Sequence, residues 1–278
     1  MGKGLSKKEK NVDNIKKHIL QGRNNKMIKF NKLFDNPNMK VIAEKGPIKI
    51  FEHEKDMSTN ISSAEALYYA SKMNVRKRQA FLELNNSGFV VSAGAMQWTA
   101  GDVKMVSNVK GVGDLVGKMF AGKATGESTI KPKYIGTGCM MLEPTYKYLL
   151  LENPAEWGGA MVIDDGMFLA CEDTVEHKIV ARSNISSAVL GGEGLFNLSL
   201  EGNGVVLLES KVAKEELIEV ILENDEIRID GNFAVAWSKT LNFTVEKSSK
   251  SLIASGVSGE GFVNVYRGTG KILMAPVQ

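Results

Sequence analysis

One phrase recurs three times along this chain, and it constrains the fold more than any other feature. Thr125-Gly126-Glu127-Ser128 leads to Gly136-Thr137-Gly138 and then to Met140-Met141-Leu142-Glu143-Pro144. Gly192-Glu193-Gly194 leads to Gly202-Asn203-Gly204 and then to Val206-Leu207-Leu208-Glu209-Ser210. Gly259-Glu260-Gly261 leads to Gly268-Thr269-Gly270 and then to Ile272-Leu273-Met274-Ala275-Pro276. The shared glutamates, at positions 127, 193 and 260, are 66 and 67 residues apart. A fixed period of this length marks a duplicated structural unit.

Each unit reads as β structure. Leu198-Ser199-Leu200 and Phe262-Val263-Asn264-Val265-Tyr266 alternate with period two, the pattern of a strand with one buried face. Gly-x-Gly is expected to break the strand in a hairpin turn, because glycine accepts a positive φ. Ile163-Asp164-Asp165-Gly166 and Ile229-Asp230-Gly231-Asn232 are further hairpin signals between apolar runs. Leu84-Asn85-Asn86-Ser87-Gly88-Phe89-Val90-Val91 stands in the matching place of the first unit. Turns about every ten residues suggest a sandwich or barrel.

Gly191-Gly192-Glu193-Gly194-Leu195-Phe196, the Gly-x-Gly after it, Val235-Ala236-Trp237 and Ala93-Gly94-Ala95-Met96 resemble the altered-inheritance-of-mitochondria family. The resemblance covers roughly residues 79–278. It implies a fold similar to the tryptophan-RNA-binding attenuation protein: double-stranded β-helix modules repeated in one chain and assembled as trimers. Bacterial members have no assigned activity, and the mitochondrial member is implicated in organising the inner membrane. The family supplies no catalytic residues to carry over.

The expected organisation is therefore mainly β. A basic, mixed N-terminal arm (1–61) with a short helix and a hairpin precedes a connecting helix (62–78). Three β-sandwich or double-stranded β-helix-like repeats follow at 79–150, 151–212 and 213–278, the first with a glycine-rich insertion. Within the arm, Val41-Ile42-Ala43 and Ile48-Lys49-Ile50-Phe51 flank the turn Lys45-Gly46-Pro47. Ser62-Ser63-Ala64-Glu65 fits a capping box for the connecting helix.

Charge is distributed unevenly. Residues 1–50 hold 13 Lys and Arg against 4 Asp and Glu, or +9, so the net of +3 leaves −6 for the rest. A basic arm on an acidic body suits RNA, an anionic lipid surface, the acidic body of a neighbouring subunit, or plain solvation as a polar tail. Lys72, Arg76, Lys77 and Arg78 cluster at the helix end. They complement the helix dipole, and are a speculative anion contact beside Tyr68 and Tyr69.

The repeated turns Gly126-Glu127, Gly192-Glu193 and Gly259-Glu260 admit two readings. Each carboxylate accepts amides of its own turn, or the three converge on a cation or substrate. The local reading is the simpler one, since duplication copies any residue. Gly117-Lys118-Met119-Phe120-Ala121-Gly122-Lys123-Ala124 nearly matches a phosphate-binding P-loop, but Ala124 lacks the hydroxyl that holds magnesium. Met1-Gly2-Lys3-Gly4-Leu5-Ser6 fits an N-myristoylation pattern, with a lysine unfavourably placed after the glycine. Cys139 and Cys171 read as buried thiols in a reducing cytoplasm, and Trp98, Trp157 and Trp237 as core or seam residues.

No cofactor, resident metal or catalytic set is called for, no apolar run reaches the ~20 residues of a membrane helix, and no signal peptide is apparent. The reading that results is a cytoplasmic, non-enzymatic oligomeric scaffold, a homo-oligomer and by resemblance a trimer. The alternatives are a module binding RNA, anionic lipid or a small anion through the basic N-terminal region, and an enzyme or metal protein built on the three glutamates.

Overall fold

Period-two alternation becomes strand over most of the residues described by the computed structural model, which are 28–106, 131–181, 196–247 and 262–277. They divide between two compact units. The first holds β1 (Met39–Lys45), β2 (Ile48–His53), α1 (Ile61–Lys72), β3 (Arg78–Val91) as far as residue 88, β4 (Met96–Val106) and β5 (Lys133–Leu142). The hairpin β1–β2 turns at Gly46, whose φ is 53°. β2 then pairs with the start of β3, from Ile48 opposite Leu82 to Glu52 opposite Arg78, and β5 joins β3 to β4.

Aromatic side chains fill this unit. Phe34 meets Phe81 edge-on at 5.3 Å, and Phe30 stacks on Trp98 at 5.2 Å. With Leu33 they pack on Phe51, Phe81, Cys139 and Met141. The stretch from Ile28 to Asn38 has little regular structure, yet three apolar side chains fasten it to the sheet.

The connecting helix is shorter than the sequence suggests. It starts after Asn60, whose Oδ1 accepts the Ser63 N–H at 3.0 Å, so the cap is Asn60 and not the Ser62 of the expected box. It stops at Met73, and Asn74 takes φ 61°, a left-handed conformation that asparagine tolerates and helices do not continue through. Arg76, Lys77 and Arg78 therefore lie beyond the helix, and only Lys72 occupies its last turn.

The second unit is built from two sets of strands. Phe89, Val90 and Val91 of β3 pair with β8 (Phe168–Glu172), which leads to β11 (Val206–Ser210) and β6 (Tyr148–Glu152). A seven-stranded sheet runs in the order β12 (Ile218–Asp230), β15 (Phe262–Met274), β13 (Ala234–Ser238), β7 (Ala160–Ile163), β10 (Phe196–Gly202) and β9 (Val175–Ala181), with β14 (Asn242–Lys247) also on β15. Leu150, Phe168, Cys171, Val206 and Leu208 from the first set meet Met161, Ile163, Leu198, Leu200 and Ala236 from the sheet in one core. A second core, around Trp237, Tyr266, Ile229 and Ile272, fills the curl of the seven-stranded sheet.

The glycine-rich turns do not make the hairpins expected of them. Gly136-Thr137-Gly138 and Gly268-Thr269-Gly270 lie inside the continuous strands β5 and β15. Gly202-Asn203-Gly204 links β10 of the sheet to β11 of the other strand set, and Asp164-Asp165-Gly166 likewise links β7 to β8. What the glycines supply is proximity and bend. Gly136 has φ 137°, and a Cβ there would stand 1.9 Å from the carbonyl oxygen of Asp102 on β4. Leu84 to Val91, matched to the first unit's turn, runs as part of β3.

One local geometry recurs. Met96 and Trp98 face Leu142 and Met141, so Gln97 bulges. Phe168 and Ala170 face Leu208 and Leu207, and Ala234 and Ala236 face Met274 and Leu273, each with the same extra residue. In each case the residue after the last paired one (Leu142, Leu208, Met274) sends its backbone N–H to the loop before the partner strand: Glu143 to Ala95 at 2.8 Å, Glu209 to Met167 at 2.7 Å and Ala275 to Phe233 at 2.7 Å. Ala93-Gly94-Ala95 precedes β4 in sequence as Asp164-Asp165-Gly166 precedes β8 and Asp230-Gly231-Asn232 precedes β13.

Candidate functional site

The cations expected to greet an anion sit against carboxylates of the preceding strand. Glu52 is the next-to-last residue of β2, with Glu54 and Asp56 just beyond the strand, and the chain returns past them at Arg76–Arg78 to start β3. Arg78 places its guanidinium 2.7 Å from Glu52, with side chains only 2% and 7% exposed. Its other donors reach the carbonyls of Arg76 at 3.3 Å and Asn74 at 3.1 Å. Arg76 pairs with Glu52 at 3.3 Å and with Glu54, which Lys40 of β1 also contacts. Lys77 holds Asp56 at 2.7 Å. Lys72 lies apart, its ammonium 4.9 Å from the centre of the Tyr68 ring.

The electrostatics follow this wiring. The bond from Lys40, then the charges of Arg76 and Lys40, hold Glu54 below its ordinary value. The bond from Lys77, then the Ser58 amide, lowers Asp56, and Asp56 in return raises Lys77. The array joins the end of α1 to β2 and spends Arg76, Lys77 and Arg78 on internal carboxylates. Lys72 alone of the four keeps its charge toward solvent.

Gly126, Glu127, Gly192, Glu193, Gly259 and Glu260 lie outside the described residues, as do the P-loop-like segment and the N-terminal pattern. No group of His, Cys, Asp or Glu able to hold a metal occurs among the described residues. Cys139 and Cys171 are free and buried, and burial raises their thiols to about 11 and about 12. Trp157 and Trp237 are buried as core residues. His53 bonds Gln79 at 2.8 Å, and Gln79 continues to Gln97 at 3.0 Å.

Two arrangements escaped the sequence reading. Thr174 Oγ1 donates to the Asn203 carbonyl at 2.9 Å, and Thr240 Oγ1 to the Thr269 carbonyl at 2.8 Å. The signal was present in the 66-residue spacing of both donors and both acceptors. Buried Glu152 accepts the Trp157 indole N–H at 3.2 Å and Lys214 at 3.1 Å, while Lys271 sits 4.2 Å from the centre of the indole ring. Nothing in the spacing of those residues announces them.

The described surface also carries unfinished strand edges. β12 bonds only β15, and its Ile218 and Ile221 are exposed, the latter at 66%. β4 bonds only β5 and exposes Met105 and Val106. No described helix is long and apolar enough to cross a membrane.

The profile of the family described as Mitochondrial biogenesis AIM24 matches residues 72–277. An uncharacterised protein of Streptococcus pyogenes serotype M6 is 29% identical over 200 residues, covering 69% of this chain and 78% of that protein. A crystal structure of a protein from Streptococcus pyogenes superposes with a TM-score of 0.54 at 25% identity, covering 73% of this chain and 89% of that one.

Proposed function

This chain belongs to the mitochondrial biogenesis AIM24 family, and on that premise we propose that it is a non-enzymatic homo-oligomeric scaffold whose body is three copies of one β module. The module reading is supported by the thrice-repeated bulge and by the three backbone bonds from Glu143, Glu209 and Ala275. A trimer is the assembly that three such modules and the family resemblance favour.

The observation that carries the reading is the edge of β12. An edge strand presents unpaired amides and carbonyls, and proteins that stay single blunt such edges. The first stretch of β12, from Ile218 to Leu222, bonds one described neighbour and turns Ile218 and Ile221 outward, before a bulge between Leu222 and Asp225 and the charges of Glu223, Asp225 and Glu226 blunt the rest of the edge. Pairing with a second copy would satisfy the backbone and cover those side chains. Light scattering on the full chain tests this. A mass near three chains is expected, and Ile221→Lys should reduce it while circular dichroism stays unchanged. A single-chain mass at every concentration would overturn the reading.

A further inference from the structure

The helix α1 is anomalous, because it contains no buried residue. A 12-residue helix is marginal on its own, and helices in proteins draw their stability from a packed face. Here Ser63, Leu67, Ala70 and Ser71 are half-buried, while Ile61, Glu65, Tyr68, Tyr69, Lys72 and Met73 are exposed. Ile61 is 97% exposed, and the Tyr68 and Tyr69 rings meet edge-on at 5.4 Å with solvent around them. Exposed apolar groups gathered on one face mark an interaction surface.

The pattern of that face says what covers it. Glu65 and Lys72 are seven residues apart, so they differ by only ~20° around the helix and by ~10.5 Å along it. Tyr68 and Tyr69 lie midway between them. When two copies of this helix lie antiparallel across a two-fold axis passing between Tyr68 and Tyr69, Glu65 of each stands opposite Lys72 of the other. Two reciprocal ion pairs then flank a cluster of four tyrosines. A surface that meets itself in this way is what an isologous contact requires. Glu65 forms no ion pair among the described residues, and Lys72 has only the Tyr68 ring, so neither charge must leave a carboxylate or ammonium partner there to make this contact.

We propose that α1 is a homotypic contact, pairing antiparallel with α1 of a second copy through Glu65, Tyr68, Tyr69 and Lys72. The proposal rests on the assembly reading above and names a surface for it. The face is small. A helix ~18 Å long covers a few hundred Å², less than the ~1,200–2,000 Å² of a free-standing dimer. The contact therefore joins bodies already assembled through their β edges, where each additional pair adds avidity.

The test is a charge swap in the full chain, read by sedimentation and light scattering over a range of concentrations. The parent is expected to form species above its base oligomer as concentration rises. Glu65→Lys and Lys72→Glu should each weaken that step about tenfold, since two attractive pairs become repulsive. The double variant, with both reversals, should return to within about threefold of the parent. Circular dichroism reports whether the helix survives in each. Identical oligomers in all four proteins would overturn the helix contact and leave the scaffold reading intact, whereas monomers throughout would end both. Co-sedimentation with phosphatidylserine vesicles that is lost on Tyr68→Ser/Tyr69→Ser, with mass unchanged, would assign the face to a membrane and overturn the proposal.

Discussion

Arg78 and Glu52 form a 2.7 Å ion pair at the point where β2 and β3 meet, and almost none of either side chain reaches water. Removing Glu52 takes from the buried Arg78 its 2.7 Å carboxylate, a loss of roughly 3–5 kcal/mol, whereas removing Arg78 leaves Glu52 beside Arg76 at 3.3 Å and Lys40 at 3.8 Å and costs less. Replacing both with apolar groups of similar size avoids that penalty. Glu52→Gln is expected to lower the urea midpoint sharply and Arg78→Met to lower it by less, and Arg78→Met/Glu52→Leu to cost less than the two singles summed. A double variant as unstable as the sum of the singles would show that the pair is not coupled.

Gly136 leaves no room for a side chain. Its φ of 137° and the 1.9 Å approach of the Asp102 oxygen to an added Cβ both oppose substitution. Gly136→Ala is expected to destabilise by more than ~3 kcal/mol, well above an ordinary substitution. Gly159 also has positive φ, at 95°, but nothing lies within 4 Å of its Cβ position. Gly159→Ala should therefore cost ~1–2 kcal/mol from backbone strain alone. Thermal unfolding of the two variants separates the two contributions.

Thr174 and Thr240, 66 residues apart, each make a hydroxyl-to-carbonyl bond, to Asn203 and to Thr269. Valine keeps the shape and removes the donor. Thr174→Val and Thr240→Val are each expected to cost ~1 kcal/mol. Because the two bonds share neither donor nor acceptor, the double variant should cost the sum within ~0.5 kcal/mol.

Glu246 offers a pH signature. Its carboxyl is held down to about 2, chiefly by the bond from Arg267 and then by the Thr244 hydroxyl, against an ordinary value of 4.5. A depressed carboxylate contributes stability that is present above its ordinary pKa and lost as pH falls toward the folded value. The melting temperature should fall between pH 4.5 and pH 2 more steeply in the parent than in Glu246→Gln. The Glu246 side chain is 34% exposed, so salt should narrow that difference. Equal slopes would show that the contact contributes nothing.

Burial sets the cysteine chemistry. With thiols raised to about 11 and about 12, neither Cys139 nor Cys171 is a thiolate near neutrality. Iodoacetamide at pH 8 is expected to leave the folded chain unmodified and to label both cysteines in urea. Fast labelling of the folded chain would contradict this burial.

The strands were legible because period-two alternation survives in Leu198-Ser199-Leu200 and Val263-Asn264-Val265, although Ser199 and Asn264 are buried too and donate to the Glu201 carboxylate and the Gly231 carbonyl. The connections were not. Asp164-Asp165-Gly166 looks the same whether the chain returns beside itself or crosses to other strands, since turn chemistry is local and pairing is not. The helix was found and its cap misplaced, because Asn60, Ser62 and Ser63 are all competent caps and only the backbone chooses. The cations Arg76 to Arg78 were visible, but their partners Glu52, Glu54 and Asp56 stand about twenty residues earlier and meet them only through the β2–β3 pairing.

β15 bonds β12, β13 and β14 together. The ribosome makes it after all three. Until it emerges, β12 and β14 lack the strand neighbour that pairs with them among the described residues, and β13 has its bonds to β7. Synthesis runs at ~5–20 residues per second, so these strands spend seconds without their central neighbour. During that interval they depend on whatever shields nascent chains in the cell, and a message cut short before β15 would leave them permanently exposed to aggregation.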